Sequence, residues 1–90
     1  MTDQEINRIL AEKVMGWTGY SVKDFDPLNN ISQAMECLNK KDWYVELTRS
    51  NTGAWTCSIF TNGNNFLIGS GCADTPERAI CLAIMKALEE

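Results

Sequence analysis

Apolar residues recur along this chain with two different periods, and the change between them divides it. Ile6, Ile9, Leu10 and Val14 fall three or four residues apart, the spacing that lines one side of a helix. Thr2-x-x-Glu5 just ahead of them fits a capping box, in which a hydroxyl and a carboxylate each satisfy a backbone N–H of the first turn. Gly16 suits the stop, and Trp17 is expected to fold back beneath the helix as an apolar anchor. Residues 18–30 read as a connection, in which Pro27 keeps Asp26 extended. A short second helix is predicted over Ile31–Asn39, capped by Asn29 or Asn30, with Ile31, Ala34, Met35 and Leu38 on its apolar face. Lys40 and Lys41 follow where cations favour the helix dipole.

The period then drops to two. Trp43, Val45 and Leu47 alternate with Tyr44, Glu46 and Thr48, and Trp55, Cys57 and Ile59 alternate with Thr56, Ser58 and Phe60. Phe66–Ala73 makes a third strand. Ser50–Gly53 and Asn62–Asn65 supply the turns, rich in residues that tolerate a left-handed backbone. Matching apolar faces sets Val45 opposite Cys57 and Ile59 opposite Ile68, since a one-residue slip would turn a strand over. One face of the meander then holds Trp43, Val45, Leu47, Trp55, Cys57, Ile59, Ile68 and Cys72 and is expected to be core. Tyr44, Glu46, Thr48, Thr56, Ser58, Phe60, Leu67, Gly69, Gly71 and Ala73 fall on the other. The period returns to helical after Thr75-Pro76, an N-cap followed by a proline at the first helical position, with Asp74-x-x-Glu77 as an alternative cap. Ala79, Ile80, Ala83, Ile84, Ala87 and Leu88 form a wide stripe, and Cys81, Leu82 and Met85 extend it nearly all round, so this helix should be buried on several sides.

The whole is an α+β fold of order α-α-β-β-β-α: a three-stranded antiparallel meander packed by helices, an α/β/α sandwich, occupying residues 1–90 as a single domain. At 90 residues, 44% apolar and 22% charged, the chain has the composition of a folded globular unit rather than a disordered one.

Charge and chemistry narrow the function. The net charge is −4, and the eight basic residues, scattered from Arg8 to Lys86, include one adjacent pair, Lys40-Lys41. Phosphate-backbone binding draws its affinity from clustered Lys and Arg, so nucleic acid is an unlikely partner. The start, Met1-Thr2-Asp3-Gln4-Glu5, lacks the basic and apolar character of a signal peptide, and the longest apolar run, Ala79–Met85, is too short to span a membrane. A cytoplasmic protein with no membrane association is expected. Cys37, Cys57, Cys72 and Cys81 form no C-x-x-C and the chain has no histidine, so buried free thiols are expected, with no metal and no cofactor. The missing histidine also rules out Ser-His-Asp and Cys-His nucleophiles. Asp24 and Asp26 read as solvated turn residues, and Gly69-Ser70-Gly71 lacks the Gly-Lys-Ser/Thr of a phosphate loop, which leaves close approach of a helix or another backbone. No enzyme is expected.

Two family patterns are comparable. Without its first helix the order is that of the double-stranded RNA-binding domain, but the basic cluster that domain places at the start of its last helix is here Thr75-Pro76-Glu77-Arg78. More of the chain resembles the phage ABA sandwich domain family: Glu5-Ile6-Asn7-Arg8, Glu12 to Trp17, Phe25-Asp26-Pro27, Ile31 to Glu36 with Met35 where tryptophan is usual, and Ala73-Asp74-Thr75 with Ala79-Ile80-Cys81-x-Ala83. That resemblance implies a phage or prophage accessory protein with three α/β/α layers in the host cytoplasm, and it brings no catalytic signature.

What remains is recognition. Tyr44, Phe60 and Leu67 share the less apolar face: either the first or second helix covers them, as three layers require, or they form an exposed patch for a protein partner or a second copy of the chain. The leading expectation is a non-catalytic accessory protein that binds a macromolecule. A small-ligand, nucleotide-sequestering protein is the alternative, and an RNA-binding module the third.

Overall fold

The computed structural model describes residues 2–17, 24–63 and 65–89. The 18–23 part of the expected connection, Asn64 of the expected turn and the two terminal residues lie outside them. Helices α1 (Asp3–Lys13), α2 (Ile31–Asn39) and α3 (Pro76–Leu88) and strands β1 (Trp43–Arg49), β2 (Trp55–Thr61) and β3 (Leu67–Ala73) follow in the expected order. The strands form one antiparallel sheet ordered β1-β2-β3.

The caps are those the side chains can make. Thr2 accepts from the Glu5 backbone N–H at 3.2 Å, while its hydroxyl donates to the Glu5 carboxylate, so the box closes through the side chain. Asn30 caps α2 through the Gln33 N–H, and Thr75 caps α3 through the Arg78 N–H. Gly16 adopts φ +76° just beyond α1. Trp17 turns back there: its N–H donates to the Ala11 carbonyl and its ring meets Phe25 edge to face at 5.0 Å.

Two registers differ from the expected ones. Val45 pairs with Ile59 and Leu47 with Cys57, a two-residue shift that preserves both faces. On the other side Ile59 pairs with Gly69, one residue from Ile68, and that shift turns β3 over. Gly69, Gly71 and Ala73 therefore lie on the core face, and Cys72 on the opposite one, where it is exposed rather than buried. The ladder then steps to Phe60↔Leu67, leaving Ile68 as the extra residue of an irregularity and returning Leu67 to the open face.

The reason lies in α3. A Cβ on Gly71 would sit 2.6 Å from both the Ala79 carbonyl oxygen and the Ala83 nitrogen, and one on Gly69 would meet the Ala83 carbonyl and lie 2.8 Å from the Ala87 nitrogen. The alanine ridge of the helix rests directly on the strand backbone, and only glycines leave room. Matching apolar faces could not detect this, because glycine carries no hydropathic signal.

With its alanines against the sheet, α3 turns the rest of its apolar surface to α1 and α2, which pack on it. Ile80, Cys81 and Ile84 are buried in one continuous cluster with Leu10, Leu28, Ala34, Cys37, Cys57 and Ile59. Each large aliphatic side chain there contributes about 1.5–3 kcal/mol by leaving water. In α2 the buried residues are Ala34, Cys37 and Leu38, whereas Ile31 and Met35, expected in the core, are exposed. Both outer helices sit on the α3 side, so neither covers Tyr44, Phe60 and Leu67.

Replacing Gly71 with alanine should lower stability by at least about 1–3 kcal/mol, the usual cost of forcing extra volume into a packed contact. Ser70→Ala, on the exposed side of the same strand, should change the urea midpoint little. Equal midpoints for the two variants would show that the close approach is not a constraint.

Candidate functional site

The pleat and the registers build the open face in three cross-strand rows. Tyr44, Phe60 and Leu67 form the first, Glu46, Ser58 and Ser70 the second, and Thr48, Thr56 and Cys72 the third. The structure thus brings together the three residues singled out in the sequence, one from each strand. Tyr44 is 51% and Leu67 58% exposed, and the Tyr44 and Phe60 rings lie 5.8 Å apart at 45°. The Tyr44 hydroxyl donates to Glu46 at 3.4 Å. Phe66, 67% exposed, precedes Leu67 and lies opposite Thr61, whose N–H donates to its carbonyl, so by register it belongs to the other side of the sheet. The sequence reading missed its exposure: the alternation marks it only as the strand's first residue, and the turn that presents it, with Asn65 at φ 59° and the Phe66 N–H on the Thr61 hydroxyl, is a tertiary feature.

The remainder of this face is hydroxyl-bearing, and Glu46 is the one charged side chain in its three rows. A face with a carboxylate and no cation repels phosphate, so its chemistry suits an apolar or polar protein surface better than a nucleic acid.

Of the four thiols, Cys72 alone lies on this face and is exposed. Cys37, Cys57 and Cys81 are buried, and burial pushes the thiols of Cys37 and Cys57 up to about 11 and that of Cys81 higher still. Such thiols are poor nucleophiles at neutral pH, because the thiolate is the reacting form. Among the described residues no group of three or more carboxylate, thiol or imidazole side chains converges as a metal site.

Asp26, expected as a solvated turn residue, is instead a structural hub. Its carboxylate accepts from Asn7 at 2.9 Å and Asn29 at 3.0 Å, while its backbone N–H donates to Gln33 at 2.6 Å. These bonds tie α1, the chain before α2 and α2 itself. They line a concavity of about 540 Å³ with Asp3, Arg8 and Phe25. Asp3 is held by Arg78, whose guanidinium keeps its carboxyl below the usual range. The carboxylates of this hollow are committed to Asn7, Asn29 and Arg78, while Asn7 Oδ1 is buried without a hydrogen-bond partner; two carboxylates against Arg8 make the hollow a poor seat for a nucleotide. An apolar groove of about 370 Å³ runs between α2 and β1, lined by Met35, Leu38, Trp43, Val45, Leu47 and Ile80.

A family model for the phage ABA sandwich domain matches residues 8–85. The chain belongs to that family. The fold of this phage ABA sandwich domain is also that of a phage protein from Bacillus cereus ATCC 14579, solved by crystallography: TM-score 0.73 at 22% identity, covering 97% of this chain and 92% of the other. No curated protein shows a significant match to the sequence. No described helix is long and apolar enough to cross a membrane. The motifs behind the family resemblance turn out to be structural: Phe25-Asp26-Pro27 centres on the Asp26 hub, and Thr75 and Ala79 to Ala83 are the cap and sheet-facing ridge of α3.

Two outcomes follow for the thiols. A small aromatic disulfide reagent should titrate Cys72 alone in the native protein, and the other thiols only after unfolding. Because Cys37 and Cys57 stay protonated in the fold to about 11 while their ordinary value is 9.0, the unfolded chain loses those protons first. Their contribution to stability is complete below about pH 9 and is lost as pH rises towards 11, so urea midpoints should fall across that window.

Proposed function

We propose that this phage ABA sandwich protein is a non-catalytic accessory protein that binds a protein partner, in the cytoplasm of the host cell, through the open face of its sheet. One observation carries this reading: Tyr44, Phe60 and Leu67 run in a single row across all three strands, with no described helix over them. Aromatic and aliphatic side chains on a rigid sheet are inexpensive anchors, since little conformational freedom is lost on docking. The surrounding hydroxyls supply hydrogen bonds at the rim, and Glu46 favours a partner with a basic or donor-rich edge. The burial of three of the four thiols, and the lack of any acid or base in the rows around the exposed Cys72 other than Glu46 on the far strand, support binding without chemistry.

Capture from lysate of a phage-infected host tests this. The wild-type chain should enrich a protein that the Tyr44→Ala/Leu67→Ala variant holds at least about tenfold more weakly, as expected when two anchor residues are truncated. The bound protein should also shield Cys72, on the same face, from alkylation. Undiminished capture by the variant, with Cys72 still reactive, would place the partner on another surface.

A further inference from the structure

Among the described residues nothing pairs with the two outer edges of the sheet, and the edges are not alike. Beside β3 the ladder is irregular at Ile59/Phe60, and the strand carries Gly69, Ser70 and Gly71 in sequence. By contrast, β1 pairs with β2 without interruption from Trp43 to Arg49 and contains neither proline nor lysine. A regular edge of this kind presents a row of unpaired N–H and C=O groups, which another extended strand can satisfy. A twofold centre at its third residue would pair five of its seven residues, Trp43–Leu47, in a ladder of about 17 Å. Four of the six large apolar side chains most exposed in the described chain, Ile31, Met35, Tyr44 and Leu47, belong to β1 or to α2, whose Met35 lines the groove beside it.

We propose that this edge is a self-association site: β1 of one copy pairs antiparallel with β1 of a second copy, about a twofold axis at Val45. The side-chain pattern selects both occupant and register. Same-face pairing across a twofold axis allows centres at Val45, Glu46 or Leu47. A Glu46 centre sets two carboxylates directly opposite each other, and a Leu47 centre sets Val45 against the second copy's Arg49, an apolar residue against a charge. The Val45 centre sets Trp43 against the second copy's Leu47, and Tyr44, whose phenol can donate, against its Glu46. It is the one of the three registers in which no pair of strand residues sets like charges together or an apolar side chain against a charge; Arg49 falls opposite the second copy's Lys41, beyond the paired strand. The core-face residues of the added strand then lie beside Met35 and the apolar groove, reducing their exposure. The open faces of the two copies become continuous; the two sites share Tyr44, and self-association is tested on the purified chain with no partner present.

Sedimentation equilibrium over a dilution series, with hydrogen exchange at the same concentrations, tests the pairing. The wild-type chain should pass from monomer to dimer as concentration rises, and amides of β1 should gain protection over the same range. Tyr44→Glu places like charges opposite each other twice by symmetry and should weaken the dimer by about tenfold. Adding Glu46→Lys should restore it, and Thr56→Glu, which adds the same charge on the central strand opposite the neutral Thr48, should leave it unchanged. A monomer at every concentration, with β1 exchange independent of dilution, would overturn the proposal and leave the edge to a strand from another protein. A dimer indifferent to the 44/46 charge pair would overturn it as well, by placing the contact elsewhere.

Discussion

Gly69 and Gly71 let the backbone of β3 lie against α3 with no side chain between them, and the rest of the architecture follows from that contact. On the helix the matching surface is Ala79, Ala83 and Ala87, a ridge of the smallest side chains that still favour a helix. Close approach fixes the register of β3, since a shift of one residue would drive Ser70 into the helix backbone. It also fixes how α3 is rotated. With the alanines towards the sheet, Cys81, Ile84 and Leu88 point elsewhere and need cover, which α1 and α2 supply. The outer helices are thereby drawn to the side already occupied by α3, and the opposite face of the sheet is left in water.

The attachment of the outer helices is reinforced by polar bonds in a layer that is otherwise apolar. Asp26 joins Asn7 of α1 to Asn29 and Gln33 at the start of α2, and Arg78 joins α3 to Asp3 at the start of α1. The ion pair is exposed and screened, so its role is orientation more than stability. The Asp26 cluster is partly buried, and there each hydrogen bond carries a larger penalty if broken. The residues that carry the family resemblance are thus used to position helices.

Function, on this reading, is a property of what the packing leaves over. The open face ends in Tyr44, Phe60 and Leu67, and no described strand pairs with the outer edge of β1. Both surfaces meet at Tyr44. A paired edge would double the length of the face available to a partner, so the two surfaces are compatible with each other.

Element boundaries, caps and class were legible in the residues because each is a local matter: Thr2, Asn30 and Thr75 cap the helices they precede, and the alternation from Trp43 to Phe60 needs only neighbours along the chain. Tyr44 and Phe60 could be placed on one face for the same reason, whereas Leu67 joins them only through the irregularity at Ile68, which alternation does not contain. Tertiary structure alone decided three things. The register of β3 depends on helix backbone that approaches from residues later in the chain, and Gly69 and Gly71 announce this by lacking a side chain, which a hydropathy pattern does not register. The exposure of Cys72 follows from that register. The uncovered face depends on which side of α3 remained apolar once its alanines met the sheet, a competition among long-range contacts that no local pattern contains.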